Sequence, residues 1–207
     1  MSTVDNEHLS KRLLDLQTFL YSFGEIDRMI FLPDGKRKDR RETDTEHSYH
    51  IAMLAWYASQ FFPELDKSKV IQYALVHDIV EIYAGDVMAI GRTKEEQRLK
   101  DERERAAIGK LRKEWPDFAD LTTTITAYEA QTDAESVFVK ALDKLTPMLH
   151  NILGEGKTWK KWDMDRRAII DNKDEKTKRS PQVNRLWQEF RKTILEHDEW
   201  FNEGKAS

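Results

Sequence analysis

Apolar residues recur along this chain at the three-to-four-residue spacing of helix faces, segment after segment. Leu9, Leu13, Leu14, Phe19 and Leu20 predict a first amphipathic helix ending near Gly24. A turn signal follows at Leu32-Pro33-Asp34-Gly35, and then a basic run over residues 36–41. Capping side chains at residues 43–45 open a second helix through Ile51, Leu54, Ala55 and Ala58, which Pro63 closes. A third, opening near Asp66 and carrying Val70, Ile71, Tyr73, Ala74, Leu75, Val76, Ile79, Val80, Ile82 and Tyr83, is apolar on nearly every side and is expected in the core. Residues 92–114 are dominated by mixed charge over a thin stripe of Ala106, Ala107, Ile108 and Leu111, the pattern of a long surface helix supported by charge pairs four residues apart. Helices are expected again around 121–130 and 134–153, the second stopped by Gly154 and Gly156. Residues 159–181 are highly charged and read as loop or partial helix. A last amphipathic helix carries Leu186, Trp187, Phe190, Ile194, Leu195 and Trp200. The pattern predicts an all-α fold without internal repeats.

Composition narrows this picture. With 207 residues, one compact domain is expected, its core over about 10–155 and a charged segment with a packing helix over 156–207. Only 8 Gly and 5 Pro argue against a many-turned β architecture, and 39% hydrophobic residues argue against disorder. The 34 basic and 38 acidic side chains leave a net charge of −4, which offers no basic field for a nucleic-acid polymer. The N-terminus lacks the basic start and apolar stretch of a signal peptide, and no apolar run approaches the ~20 residues of a membrane span, so a cytoplasmic protein with no membrane partner is expected. Cysteine is absent, which excludes disulfides, thiolate-bound zinc, iron–sulfur clusters and a thiol nucleophile. Any metal must therefore sit on imidazoles, carboxylates, carbonyls or water.

Chemistry concentrates in Val76-His77-Asp78-Ile79-Val80-Glu81, which sets three ionisable groups inside the most apolar segment. Unpaired buried charge costs several kcal/mol, so these groups need partners, and a metal ion is an economical one. On a continuous helix His77 and Glu81 share a face, as do Asp78 and Glu81. His47, in Glu46-His47-Ser48, and Asp143, in Lys140-Ala141-Leu142-Asp143-Lys144, add an imidazole and a carboxylate from two further helices. Two imidazoles and two carboxylates suit a divalent ion such as Mn, Co, Fe, Mg or Zn with open water positions. His50, three residues after His47, reads mainly as a packing or exposed residue, His150 and His197 as structural, and the basic run as a solvated loop.

A His, then a His-Asp doublet, then a distant Asp resembles the HD-domain metal-dependent phosphohydrolases, and within them the 5′-deoxynucleotidase branch. The shared stretches are Glu46-His47-Ser48, Leu75-Val76-His77-Asp78-Ile79-Val80-Glu81, Gly85-Asp86, Lys94-Glu95-Glu96, and Tyr128-Glu129-Ala130-Gln131 leading to Phe138-Val139-Lys140-Ala141-Leu142-Asp143-Lys144, spread over about residues 10–150. The resemblance implies a helical HD-domain bundle around a buried metal site, with His47, His77, Asp78 and Asp143 as metal ligands. Glu81 and Asp86 match a second carboxylate pair, which either orients water and protonates the leaving oxygen or holds a second ion. Arg28 matches a phosphate-orienting arginine, whose planar fork suits a phosphate. Met29 stands where the branch carries an aromatic residue against the sugar, and Asp86, Val87, Met88 and Ala89 are expected along the nucleotide pocket. The implied activity is hydrolysis of (deoxy)nucleoside 5′-monophosphates, the substrate being a small nucleotide. The alternatives are a nucleoside triphosphate or alarmone cleaved at the same site, or a non-catalytic nucleotide- or metal-binding protein. A homodimer is suggested by the resemblance and by the Trp-bearing last helix.

Overall fold

The computed structural model describes residues 5–85 and 93–202. Helix α1 (Asn6–Gly24) starts where the Asp5 carboxylate accepts the amides of Glu7 and His8. The chain then forms an antiparallel hairpin, β1 (Asp27–Phe31) with β2 (Arg41–Thr43), which the sequence reading did not contain. Strands of five and three residues are too short for a clear two-residue alternation, and only their connection carried a turn signal. Helix α2 (Asp44–Ser59) begins at a capping box: the Thr43 hydroxyl accepts the Glu46 amide, and the Glu46 carboxylate accepts the Thr43 amide.

The third helix differs from expectation in a way that matters for the site. Helix α3 (Lys67–Val76) stops before the His-Asp doublet, and residues 77–80 form a tight turn before the short α4 (Glu81–Ala84). At the break the His77 ring nitrogen Nδ1 donates to the Ala74 carbonyl at 2.8 Å, the group a continuing helix would offer to the Asp78 amide. Three-residue bonds replace the helical ladder, with Ile79 N donating to Val76 O and Glu81 N to Asp78 O. Nor is α3 buried all round, since Leu75 faces outward at 51% exposure.

Helices α5 (Lys94–Glu114), α6 (Ala119–Ala130) and α7 (Ala134–Leu153) follow the expected pattern, and α7 stops at Gly154. The charged stretch over 159–181 is mostly helical, in α8 (Lys157–Lys161) and α9 (Arg166–Thr177). Helix α9 was hidden because few of its residues are apolar. It buries Ile169, Ile170, Lys173 and Thr177 along one side and is capped by Asp165. Helix α10 (Pro181–Leu195) and a 3-10 turn (Asp198–Trp200) end the described chain.

Helix α7 lies against α2, α3, α9 and α10, and one apolar cluster runs from Ile51 on α2 to Phe201. Trp187 is fully buried in it, and Trp159 stacks on Phe201, so the tryptophans of the last third of the chain serve largely its own core. A second cluster of Phe19, Ile79, Val80, Leu111, Trp115, Leu121 and Ile125 sits under α1, α5 and α6. This packing brings the start of α2, the end of α3 and the middle of α7 together, with β1 against α7. Among the described residues no helix is long and apolar enough to cross a membrane.

Candidate metal centre

His47 comes from the first turn of α2, His77 and Asp78 from the turn after α3, and Asp143 from α7. One donor atom from each lies within 4.8 Å of all the others. His47 Nε2 is 3.0 Å from Asp143 Oδ1 and 3.9 Å from Asp78 Oδ2. His77 Nε2 is 3.0 Å from Asp78 Oδ2 and 3.9 Å from Asp143 Oδ1. Both imidazoles and Asp143 are buried.

The two histidines are held by their other nitrogens. His77 Nδ1 must carry its proton, because it faces the Ala74 carbonyl, so in the neutral ring Nε2 presents a lone pair. That buried Nε2 has no hydrogen-bond partner among the described residues, although Asp78 Oδ2 is 3.0 Å away off the bonding direction. A lone pair aimed among carboxylate oxygens is unfavourable unless a cation lies between them. On His47, Nδ1 is 3.2 Å from Glu42 Oε2, which leaves Nε2 to the cluster. Burial pushes the His47 pKa down, but Asp143 and Glu42 on its two sides outweigh this and raise it to about 9. The protein thus places a positive charge where His47 meets the carboxylates, and a divalent ion fits that demand. Burial alone would raise the carboxyls of Asp78 and Asp143, yet both stay well below the usual range. His77 and Arg28 act on Asp78, and Lys144, His47 and His77 on Asp143.

Arg28 reaches this cluster from β1. Its Nη1 donates to Asp44 Oδ1 and to Asp78 Oδ2, each at 2.8 Å, and its Nε is 3.9 Å from Glu42 Oε2. Glu81, buried at the start of α4, lies 3.4 Å through Oε1 from Lys100 Nζ, and a donor atom of it falls within 4.8 Å of donors from Asp44 and Asp78. Met29 is placed apart from Arg28. Its sulfur is 3.7 Å from Arg41 Nη1, and Arg41 pairs with Asp27, so it belongs to the other face of the hairpin. Asp86, Val87, Met88 and Ala89 lie outside the described residues.

Three groups at the cluster escaped the sequence reading. Glu42, fully buried in β2, accepts from His47, His50 and His150, and those three donors hold its carboxyl far below the ordinary range against the upward push of burial. Asp44 shares Arg28 with Asp78. Lys144 sets Nζ 2.6 Å from Asp143 Oδ2. Glu42 was legible only with the strand register, because residues 41–43 alternate so that the middle side chain points inward, and Asp44 only with the turn from β2 into α2. Lys144 was visible beside Asp143, but nothing in the sequence aimed it.

Known proteins share this fold. The HD domain family model matches residues 34–187. The crystal structure of a predicted metal-dependent phosphohydrolase from Magnetospirillum magnetotacticum MS-1 superposes with a TM-score of 0.75 at 30% identity, covering 92% of this chain and 95% of that one. The chain belongs to the HD domain family. It is 31% identical over 118 residues to 5′-deoxynucleotidase HDDC2 of Xenopus laevis and 30% over 112 residues to that of Homo sapiens, about 55% and 53% of this chain. The chain spans about half the length of these curated relatives, 56% and 53%.

Proposed function

We propose that this protein is a divalent-metal-dependent phosphohydrolase that removes phosphate from (deoxy)nucleoside 5′-monophosphates. The observation that carries the reading is the convergence of His47, His77, Asp78 and Asp143, with the buried His77 Nε2 lacking a hydrogen-bond partner among the described residues. These four would hold the ion, and their nitrogen-and-oxygen donors suit Mn, Co, Fe, Mg or Zn. When bound, such an ion supplies a deprotonated water and charge stabilisation for phosphoryl oxygens.

The remaining steps fall to the chain's own residues. Glu42 holds His47 with its proton on Nδ1, so that Nε2 faces the cluster. The Ala74 carbonyl does the same for His77. Arg28, bonded to Asp44 and to the ligand Asp78, stands at the edge of the cluster, where it would orient a bound phosphate. Glu81 is buried next to Asp78 and Asp44 and serves as the carboxylate that takes or gives a proton, with Asp86 as the second carboxylate by resemblance to the family. Asp86, Val87, Met88 and Ala89 remain the proposed nucleotide-contacting segment, also by resemblance, and a second ion near Glu81 and Asp86 stays part of that reading. With Met29 on the opposite hairpin face, the deoxyribose preference rests on the relatives' names alone.

One observation favours a second substrate. Lys100 beside Glu81 and Lys144 beside Asp143 add two cations to Arg28, a number suited to a nucleoside triphosphate or alarmone. Product analysis separates the two: inorganic phosphate and a nucleoside from monophosphates is expected, and pyrophosphate or tripolyphosphate from longer substrates would overturn the monophosphate assignment. The reading includes a homodimer, formed through the outer face of α2.

A further inference from the structure

We propose that Glu42, His50 and His150 form a second divalent-cation site, joined to the four-residue centre through the Glu42 carboxylate. The three come from β2, α2 and α7, and one donor atom from each lies within 4.8 Å of the other two. Glu42 Oε1 is 2.9 Å from His50 Nδ1 and 2.9 Å from His150 Nε2. Donors around an ion bound at ~2.0–2.2 Å stand roughly 3 Å apart, and this oxygen already stands at that separation from each of the two nitrogens. The imidazole rings face each other obliquely, with centroids 5.6 Å apart.

Access and donor chemistry define the ligand. The His50 side chain is 39% exposed and His150 is partly so, while Glu42 is fully buried, so an ion enters from the His50 side and keeps water on that side. Two imidazoles and one carboxylate select zinc, nickel, cobalt or copper over magnesium or calcium, which prefer all-oxygen shells. In the metal-free molecule both rings give a proton to the same Glu42 oxygen. Binding moves each ring's proton to its other nitrogen, and the carboxylate keeps its charge for the ion.

Glu42 Oε2 faces His47 Nδ1 at 3.2 Å, so the one carboxylate would serve both sites. An ion on Oε1 withdraws electron density from the oxygen that holds His47 and makes that imidazole a poorer donor. Loading the second site is therefore expected to weaken retention at the first site about tenfold, within the range seen when partners of metal-bound histidines are changed. The protein would then be activated by one ion and inhibited by excess zinc.

Equilibrium dialysis of the whole protein against Zn2+, with zinc counted by mass spectrometry, tests this. Wild type is expected to bind one ion per chain more than His50→Asn or His150→Gln, the looser of its ions being the one lost, with circular dichroism verifying that each variant is folded. Asp78→Asn, which damages the first site, is expected to keep the His50-dependent ion. One zinc per wild-type chain at saturation, or the same zinc content in folded His50→Asn as in wild type, would overturn the second site. A single ion lost with Asp78→Asn would leave the four-residue centre standing without it, which separates this inference from the proposed function.

Discussion

Lys173, on the buried side of α9, is a costly group outside the candidate centre. It is 5% exposed, and among the described residues no acidic group forms an ion pair with its Nζ. Burial first, and then the Lys144 charge, lower its pKa from 10.5 to about 8. Between pH 8 and 10.5 the unfolded chain therefore binds more protons than the folded one, and this group's contribution to stability improves as pH rises through that window. Below pH 8 the full penalty applies. Lys173→Met is expected to raise stability at pH 7 by on the order of 3 kcal/mol, a gain that shrinks toward zero above pH 10.5. Urea unfolding of both proteins across pH checks this, and a variant less stable than wild type at pH 7 would contradict it.

Helix α2 does two jobs at once. One face buries His47, Ile51, Ala52 and Ala55 against the rest of the molecule. The opposite face is also apolar, with Tyr49, Met53, Trp56 and Tyr57 all exposed, and Phe61 follows just beyond its end. Neighbouring α1 adds Leu13, Leu14, Leu20 and Tyr21. At ~200 Å² per aromatic side chain, half to two-thirds exposed, the five aromatic residues alone leave about 600 Å² open. That equals the largest patch of a typical monomer. A helix apolar on both sides is expected to be covered on both, here by the same face of a second copy. The terminal helix α10, which first suggested a dimer, instead buries Val183, Trp187 and Ile194 in its own core. Light scattering should return a dimer for wild type and a monomer for Trp56→Glu. A monomeric wild type at micromolar concentration would contradict the assignment.

Across the whole molecule, what could be read from sequence follows the physics of each signal. Long amphipathic helices such as α1, α5 and α7 were legible because apolar periodicity repeats over several turns. The helix break at His77 was not, because it depends on a side-chain bond to Ala74 O that no pattern of apolar residues records. The hairpin and α9 were missed for want of length and of apolar content. At the centre, His47, His77, Asp78, Asp143 and Arg28 converge in space, whereas Glu42, Asp44 and Lys144 entered only with the fold. The residues that touch an ion carry a motif, and those that aim them depend on three-dimensional register.

His47, His77, Asp78 and Asp143 are proposed to hold a divalent ion for phosphate release. This is tested most directly by measuring inorganic phosphate from deoxynucleoside 5′-monophosphates with wild type and Asp78→Asn, each stripped by chelator and then reloaded with Mn2+ or Co2+. Wild type is expected to release phosphate, to lose that activity on stripping and regain it on reloading, and Asp78→Asn to fall at least ~100-fold together with the bound metal. Phosphate release that persists in stripped protein, or in Asp78→Asn without bound metal, would contradict it.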